Sequence, residues 1–276
     1  MAHIPHPHLV RFNKLDTGSV SASINWCERD YLESPWIAEF FNTFTNLLFF
    51  YLSLVGISNV QRQGLGLRYL LPWAGLGIVG IGSFMFHATL EWEWQLADEL
   101  PMLLVSSQLC YISLETSRKG RPPRFGYYLP VFLSILVTTI CVAYIIYPNA
   151  LLHQGAYGCL VLTSTTHTAY LLKTKMDSTP LESIRSKDIA GYYKLGVCSS
   201  LLGFAIWNLD NLFCNSIQPY KDALGFPLYG LLEGHAWWHI LTGLGAYYLI
   251  FAINLLSCSL REGSETFEAP RGVIPQ

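Results

Sequence analysis

Seven apolar stretches dominate this 276-residue sequence, at about residues 40–58, 69–88, 97–115, 126–147, 150–172, 189–211 and 229–257. Each is close to the roughly 20 residues that a helix needs to cross the hydrocarbon core of a bilayer. Only 13% of the residues are charged, about half the share found in soluble domains. The sequence therefore predicts an all-α integral membrane protein, a single domain at 1–276 folded as a seven-transmembrane helix bundle, with flexible tails at 1–24 and 260–276.

Positive charge is distributed unevenly between the two predicted sides of the membrane. Twelve of the 17 lysines and arginines fall in the loops after the first, third and fifth stretches and in the C-terminal tail. Because such loops stay in the cytosol, the N-terminus is predicted to be lumenal and the C-terminus cytosolic. The first 40 residues lack a basic region followed by a short apolar core, so we expect the first span to act as the targeting signal. A net charge of −2 gives no indication of nucleic-acid binding.

Two histidines, His235 and His239, lie at the start of the last apolar stretch. A spacing of four places both rings on one face of a helix. Neutral imidazoles are common zinc ligands, and this spacing lets two rings reach one ion. Ionisable residues at the mouth of a span are costly without a partner and therefore indicate function. The alternative is a pair of interfacial histidines beside the aromatic belt of Trp237 and Trp238.

A third histidine, His87, closes the second stretch on the same predicted side of the membrane. Catalytic zinc sites have three protein ligands and leave a fourth position for water, whereas structural sites are closed by four protein ligands. The sequence therefore predicts a catalytic zinc site formed by His87, His235 and His239.

Other polar residues at this depth are candidates for acting beside the zinc. Ser83 precedes His87 by one helical turn, so its hydroxyl would face the zinc-bound water or an oxyanion. Asp98, near the start of the third stretch, is a candidate general acid/base, with helix capping as the alternative. Glu99 and Asp210 compete with it, and Asp210 is favoured as an outer residue that orients a histidine or the lumenal loop.

The cysteines agree with the predicted orientation. Five of the seven lie within apolar stretches, where they serve as small apolar residues. Cys27 precedes the first span and Cys214 follows the sixth, so both face the oxidising side. We therefore predict a disulfide between them, with two free thiols as the alternative.

Residues 25–39 (NWCERDYLESPWIAE) form an acidic stretch where the chain meets the lumenal surface. Glu28, Asp30, Glu33 and Glu39 are offset by a single arginine. Carboxylates and backbone carbonyls are the ligands that hold calcium, although most acidic runs are simply solvated. The stretch is not an EF-hand loop, because the sixth position is not glycine.

Four separated motifs carry a family resemblance: NWCERD…IAEFFNTFTN, GSFMFHATL…QLADELPM, WNLDNLFC and HAWWHILTGLG. Together they resemble the alkaline ceramidases, integral membrane amidases in the superfamily that includes the adiponectin receptors. The resemblance extends from residue 25 to about 250 and is closer to the phytoceramidase-type branch than to the other animal branches. It implies a location in the membranes of the endoplasmic reticulum and/or the Golgi.

The resemblance also implies roles for individual residues. It places the zinc ligands at His87, His235 and His239, the active-site serine at Ser83 and the catalytic aspartate at Asp98. It places a calcium site at Asn25, Trp26 (through the backbone carbonyl), Glu28, Asp30 and Glu39, and a lumenal disulfide at Cys27 and Cys214. The sequence departs from the family at two of these positions, since Asn25 and Asp30 stand where the family has Asp and Asn. The number of carboxylates is unchanged, so calcium binding is still expected.

The activity implied is hydrolysis of the amide bond of ceramide, dihydroceramide or phytoceramide to a sphingoid base and a free fatty acid at alkaline pH. The lipid tails of the substrate lie in the bilayer, so we expect a cavity between the spans that opens to lipid. Two rival interpretations use the same histidines. One is a seven-span receptor of the adiponectin-receptor type, which is expected to have a cytosolic N-terminus. The other is a metal transporter, which needs polar residues at several depths.

Overall fold

The computed structural model describes residues 20–117, 121–175 and 180–261, and this part of the chain is helical, with no strand beyond a single bridge between Ser34 and Ile37. The helices are α1 (Phe40–Thr45), α2 (Leu47–Arg62), α3 (Leu67–Thr89), α4 (Trp92–Leu114), α5 (Tyr128–Ile146), α6 (Ala150–Lys175), α7 (Pro180–Leu224) and α8 (Gly234–Arg261). A short 3₁₀ helix, Leu228–Leu232, precedes α8. The all-α prediction is confirmed for the described residues.

Within the described residues, five segments are long and apolar enough to cross a membrane by length and composition. They are Phe40–Arg62, Leu67–Thr89, Tyr128–Ile146, Arg185–Leu224 and Gly234–Arg261. The other two predicted spans coincide with long helices that are more polar. α4 carries three acidic residues in its first turns, and α6 contains a run of hydroxyl side chains between Thr163 and Thr168. The structure therefore supports five of the seven predicted spans.

Three helix boundaries differ from the edges of the apolar stretches. α4 begins at Trp92 rather than near 97, which places Asp98 in its second turn. α7 is interrupted by non-helical backbone angles at Phe213, close to the predicted end near 211, and a further helical stretch runs to Leu224. α8 begins at Gly234 rather than near 229. An apolar stretch marks the part of a helix that suits lipid, whereas helical hydrogen bonding continues into polar sequence. The predicted start of the seventh span belongs to the 3₁₀ helix that follows Pro227.

The described chain divides into two compact units. The first contains the described residues up to Leu52 together with Gly77–Glu99 and Cys198–Gly245, and the second contains Ser53–Leu76, Leu100–Val197 and the described residues from Ala246 onward. All the site residues predicted from the sequence lie in the first unit. The second unit has its own apolar core, formed by Leu103, Cys110, Leu133, Val137 and Leu160. A single domain over the whole chain stays a prediction.

Residues 20–39, called the N-terminal segment below, lie across the end of α3. The last carbonyls of a helix lack partners within that helix. Here the N–H of Ala38 donates to the Ala88 carbonyl at 2.9 Å, and the N–H of Glu39 donates to the His87 carbonyl at 3.0 Å. Ala38 also packs with Phe86 and Leu90 in a small apolar cluster. These contacts fix Glu39 beside the last turn of α3.

The predicted flexible tails, 1–24 and 260–276, lie mostly outside the described residues. Of the described part, the N–H of Ala22 donates to the Leu90 carbonyl at 3.0 Å, and the N–H of Ser23 donates to Gln95 Oε1 at 2.8 Å. At the other end, α8 continues to Arg261. Residues 20–24 and 260–261 therefore belong to the fold.

Candidate metal centre and active site

Three histidines meet inside the first unit. His87 lies in the last turn of α3, and His235 and His239 lie in the first two turns of α8. Each is at most 4% exposed, and the ring centroids are 4.6 to 5.0 Å apart. One nitrogen from each ring lies within 4.8 Å of the others, and no other set of three His, Cys, Asp or Glu side chains does so among the described residues. The geometry is that of a buried metal site.

The outer nitrogens of two of these rings have protein partners. Nδ1 of His87 lies 2.5 Å from Oε2 of Glu39, which as a carboxylate accepts a hydrogen bond from it. Nδ1 of His239 lies 3.0 Å from the hydroxyl of Thr45, and this hydroxyl already donates to the Phe41 carbonyl. With Glu39 ionised and the Thr45 hydroxyl as acceptor, both rings can carry their proton on Nδ1, which leaves the Nε2 lone pair to bind a metal ion.

His235 differs from the other two histidines because its Nδ1 is buried and has no hydrogen-bond partner. Its ring instead stacks on the indole of Trp26, with the ring centroids 4.2 Å apart and the planes inclined by 28°. A buried polar atom without a partner is costly. Three buried imidazoles that could hold one metal ion are compatible with zinc.

Ser83 and Asp98 form a hydrogen-bonded pair in the same unit. Ser83 is buried and lies one turn before His87 on α3, as its spacing predicts. Asp98 lies in the second turn of α4, so it does not cap that helix. Its neighbour Glu99 points elsewhere and accepts a hydrogen bond from Gln95 at 3.3 Å. Of the two adjacent acids, it is Asp98 that is bonded to Ser83.

Gly82 is what allows α3 and α4 to approach at this point. A Cβ atom at this position would lie 2.0 Å from the carbonyl oxygen of Ala97 and 2.8 Å from the backbone nitrogen of Asp98. Real Cβ atoms essentially never come so close to backbone atoms. The absence of a side chain at Gly82 therefore brings Ser83 and Asp98 within hydrogen-bonding distance.

Asp210 is placed at the start of α8. Its carboxylate lies beside the backbone N–H groups of Gly234 and His235, which lack partners within the helix. A Cβ at Gly234 would lie 2.6 Å from the Cβ of Asp210, so this glycine lets the carboxylate reach the backbone. Asp210 thus holds the helix end that carries His235.

The five residues predicted to bind calcium lie together on the N-terminal segment. Glu28 accepts hydrogen bonds from the N–H groups of Phe41 and Asn42 at 2.6 and 2.8 Å, which caps α1 from outside the helix. The amide of Asn25 donates to Asp30 at 3.0 Å. The N–H of Trp26 is shared between Asn25 Oδ1 at 2.7 Å and Glu39 Oε1 at 3.3 Å.

These carboxyl groups are held in an environment that disfavours their charge. Burial, reinforced by the carboxylates of Glu233 and Glu39, raises the pKa of Glu28 to about 9. Burial raises the pKa of Glu39 to about 8 and, together with the charge of Glu39, that of Asp30 to about 7. One oxygen of Asp30 is buried without a partner. A cation bound among these carboxyl groups would relieve the cost of their negative charge.

The N-terminal segment is tied to α7 by a disulfide, and a buried ion pair ties α7 to the residue that precedes α8. Cys27 and Cys214 are joined by a disulfide across 187 residues of sequence. Nearby, the ammonium of Lys221 forms a 2.7 Å ion pair with Glu233, and both side chains are almost fully buried, at 4% and 1% exposed. Removing one partner of such a pair leaves an uncompensated buried charge, which is strongly destabilising.

Some residues of this site were not identified from the sequence. Thr45 and Asn46, which lie 3.0 and 3.3 Å from Nδ1 of His239, occur in the polar run FNTFTN at the start of the first span. Polar residues inside an apolar stretch indicate function, so this run could have been recognised from the sequence. The stacking of Trp26 on His235 had no local signal, because it joins distant parts of the chain. The Lys221–Glu233 pair joins residues that are 12 positions apart and depends on how the chain turns between α7 and α8.

Comparison with known proteins places this arrangement in a family. A model of the ceramidase family matches residues 18–274. Alkaline ceramidase 3 of Mus musculus is 34% identical over 246 residues, which cover 88% of this chain and 87% of the mouse protein. An alkaline ceramidase of Saccharomyces cerevisiae is 34% identical over 249 residues, covering 87% and 78%. One of Arabidopsis thaliana is 29% identical over 232 residues, covering 83% and 82%.

The close approach of α3 and α4 leads to a stability prediction. Gly82→Ala is expected to destabilise the protein by about 1–3 kcal/mol, because the new methyl group forces backbone atoms apart. It should also separate Ser83 from Asp98. The measurement is thermal unfolding of purified protein in detergent.

Gly158→Ala is the matched control. Gly158 is also inside a helix, but a Cβ there meets no atom within 4 Å. Its unfolding temperature should stay at or above that of the wild type. Equal unfolding temperatures for the two variants would contradict the proposed role of Gly82.

Proposed function

Because the chain belongs to the ceramidase family, it is an enzyme that hydrolyses ceramide amide bonds, and we propose that it does so with a zinc ion held by His87, His235 and His239. One observation carries this proposal: a buried cluster of three histidines lies one helical turn from a hydrogen-bonded serine–aspartate pair. A bound zinc ion would supply Lewis acidity for the amide carbonyl and lower the pKa of a water molecule toward 7.

The side chains of the chain itself would perform the remaining steps. Asp98 accepts the proton of the attacking water and then delivers a proton to the leaving sphingoid amine. Ser83 donates a hydrogen bond to the oxyanion that forms on the amide carbonyl. Glu39 and Thr45 keep the protons of His87 and His239 on Nδ1. The products are a free fatty acid and a sphingoid base.

Calcium is the second proposed cofactor. Its ligands would be the side chains of Asn25, Glu28, Asp30 and Glu39 and the backbone carbonyl of Trp26. The raised carboxyl pKa values and the unpartnered oxygen of Asp30 support this assignment, because a cation relieves the repulsion among these groups. Since Glu39 also bonds to His87, calcium would stabilise the segment that orients a zinc ligand.

We further propose that α4 and α6 cross the membrane as the third and fifth of seven spans in one domain. With 23 and 26 residues they are about 35 and 39 Å long, more than the roughly 30 Å of the hydrocarbon core. The N-terminus would be lumenal and the C-terminus cytosolic. The disulfide supports this orientation, because it joins the segment before the first span to α7, and disulfides persist in oxidising compartments such as the lumen of the endoplasmic reticulum and Golgi.

The zinc-dependent mechanism makes a prediction about two classes of variants. His239→Ala should lose both bound zinc and turnover, whereas Asp98→Asn should keep the zinc and lose turnover by 100-fold or more, on the scale of about 10²–10⁴-fold that acid–base groups contribute. Zinc content and fatty-acid release are measured on the same detergent-purified samples at alkaline pH. Ceramide, dihydroceramide and phytoceramide are compared as substrates.

The control for these variants is Trp36→Leu, which changes an exposed residue of the N-terminal segment. It should match the wild type in zinc and turnover. Zinc bound by the wild type without turnover on any of the three lipids would favour the receptor interpretation. Turnover by His239→Ala at the wild-type rate would overturn the proposed mechanism.

The calcium proposal is tested at Glu28. Glu28→Gln removes the charge and keeps one acceptor oxygen for the N–H group of either Phe41 or Asn42, so activity should fall about tenfold while zinc content is unchanged. The neighbouring Glu33→Gln is the control, since Glu33 bonds to Tyr229 and is outside the proposed ligand set. Full activity of Glu28→Gln after calcium chelation would contradict a role for calcium.

The proposed orientation predicts the accessibility of tags. An epitope at the N-terminus should be protected from protease in sealed microsomes, and one at the C-terminus should be cleaved. The opposite pattern would match the orientation expected of the receptor class. Detergent-opened microsomes, in which both tags are cleaved, provide the control.

A further inference from the structure

The three histidines of the metal centre are not held in the same way. His87 and His239 have hydrogen-bond partners at Nδ1, namely Glu39 and Thr45. Nδ1 of His235 is buried and has none. Metal-binding histidines almost always use the second ring nitrogen to fix the ring orientation. The orientation of His235 must therefore be fixed by something other than a hydrogen bond at Nδ1.

The indole of Trp26 is the aromatic group that lies against this ring. Its centroid is 4.2 Å from that of His235, and the two planes are inclined by 28°. The other two histidine rings lie at steeper angles to His235, 56° for His87 and 89° for His239. Trp26 thus covers one face of the imidazole and prevents it from rotating about the bond to its Cβ.

Trp26 is itself firmly placed. Its N–H is shared by Asn25 and Glu39, and the next residue is the buried, disulfide-bonded Cys27. The edge of its indole packs on Trp207 of α7, with centroids 5.7 Å apart. Its Nε1 is buried without a partner. The indole is therefore located by backbone bonds and ring contacts rather than by a bond to its own N–H.

We propose that the Trp26 side chain is a positioning residue for His235, which it holds in a metal-binding orientation by stacking. The proposal rests on the zinc-dependent function proposed above. It assigns the indole a role separate from the proposed calcium contact, which uses only the backbone carbonyl. It also gives the N-terminal segment two links to the metal centre, one through Glu39 to His87 and one through Trp26 to His235.

If stacking positions His235, the metal affinity should fall in a defined order among substitutions of Trp26. Trp26→Phe keeps an aromatic face against the imidazole and loses the indole N–H. Trp26→Leu fills part of the space and removes the aromatic face. If stacking holds His235, the metal affinity of Trp26→Phe should stay within about threefold of the wild type, and that of Trp26→Leu should fall about tenfold.

The experiment uses full-length protein in detergent, stripped of metal with a chelator and then titrated with Co²⁺ at a fixed calcium concentration. The visible d–d bands of Co²⁺ report the geometry of the histidine ligands, and competition with Zn²⁺ gives the zinc affinity. Trp26→Phe should reproduce the wild-type bands, and Trp26→Leu should shift or broaden them. A purely structural role would lower the unfolding temperature without changing these bands.

Two results would overturn the proposal. One is a Trp26→Leu protein with wild-type affinity and bands. The other is a Trp26→Phe protein as impaired as Trp26→Leu, since the aromatic face is then not what matters. Trp36→Leu is the matched control: Trp36 belongs to the same segment, is 84% exposed and should bind metal normally. An intact Cys27–Cys214 disulfide in every variant confirms that the segment has folded.

The same titration separates this inference from the proposed function. His235→Ala removes a ligand and should abolish tight binding. If the wild type binds no metal, or His235→Ala binds as well as the wild type, the zinc-dependent function fails. If the wild type binds, His235→Ala does not and Trp26→Leu is unaffected, only the role of Trp26 fails.

Discussion

The structure of the site depends on the backbone pairing between the N-terminal segment and the end of α3. The last carbonyls of α3 would be buried without partners, and each unpaired buried group costs free energy. The N–H groups of Ala38 and Glu39 satisfy two of them. Because the backbone of Glu39 is fixed at this point, its carboxylate is within reach of His87, and Oε2 lies 2.5 Å from Nδ1 of that ring. The hydrogen bonds that end α3 therefore also position Glu39, the partner of His87.

The electrostatic problem of the site is that neutral histidines and several carboxylates are buried together. Histidines bind a metal in the neutral form, and an acceptor at Nδ1 keeps the proton away from the metal-binding nitrogen. The acidic residues supply that acceptor at Glu39, but burial, reinforced by repulsion from neighbouring carboxylates, raises the pKa values of Glu28 and Glu39. Lys221 offsets part of the negative charge through its pair with Glu233. A bound cation on the segment would offset more.

Local rules explain which features could be predicted from the sequence. The spacing of His235 and His239 and that of Ser83 and His87 follow helical periodicity, so residue spacing alone places each pair on one helix face. The sequence alone did not decide whether Asp98 or Glu99 is the general acid/base candidate. That choice depends on where α4 begins, which is five residues before the apolar stretch. The close approach of α3 and α4 at Gly82 could not be predicted from the sequence either, because it depends on how the two helices cross. The apolar stretches predicted seven spans. The structure supports five of them by length and composition, and the two that it does not support, α4 and α6, are more polar.

The disulfide between Cys27 and Cys214 also bears on the order in which the centre is built. A chain is synthesised from its N-terminus, so the segment carrying Glu39 and Trp26 is made long before α7 and α8. Its covalent partner arrives 187 residues later, shortly before His235 and His239. A partly made chain has Ser83 and Asp98 but lacks two of the three histidines. By the proposed mechanism it cannot attack the lipids of the membrane into which it is being inserted, and hydrolytic capacity arises only when synthesis is nearly complete.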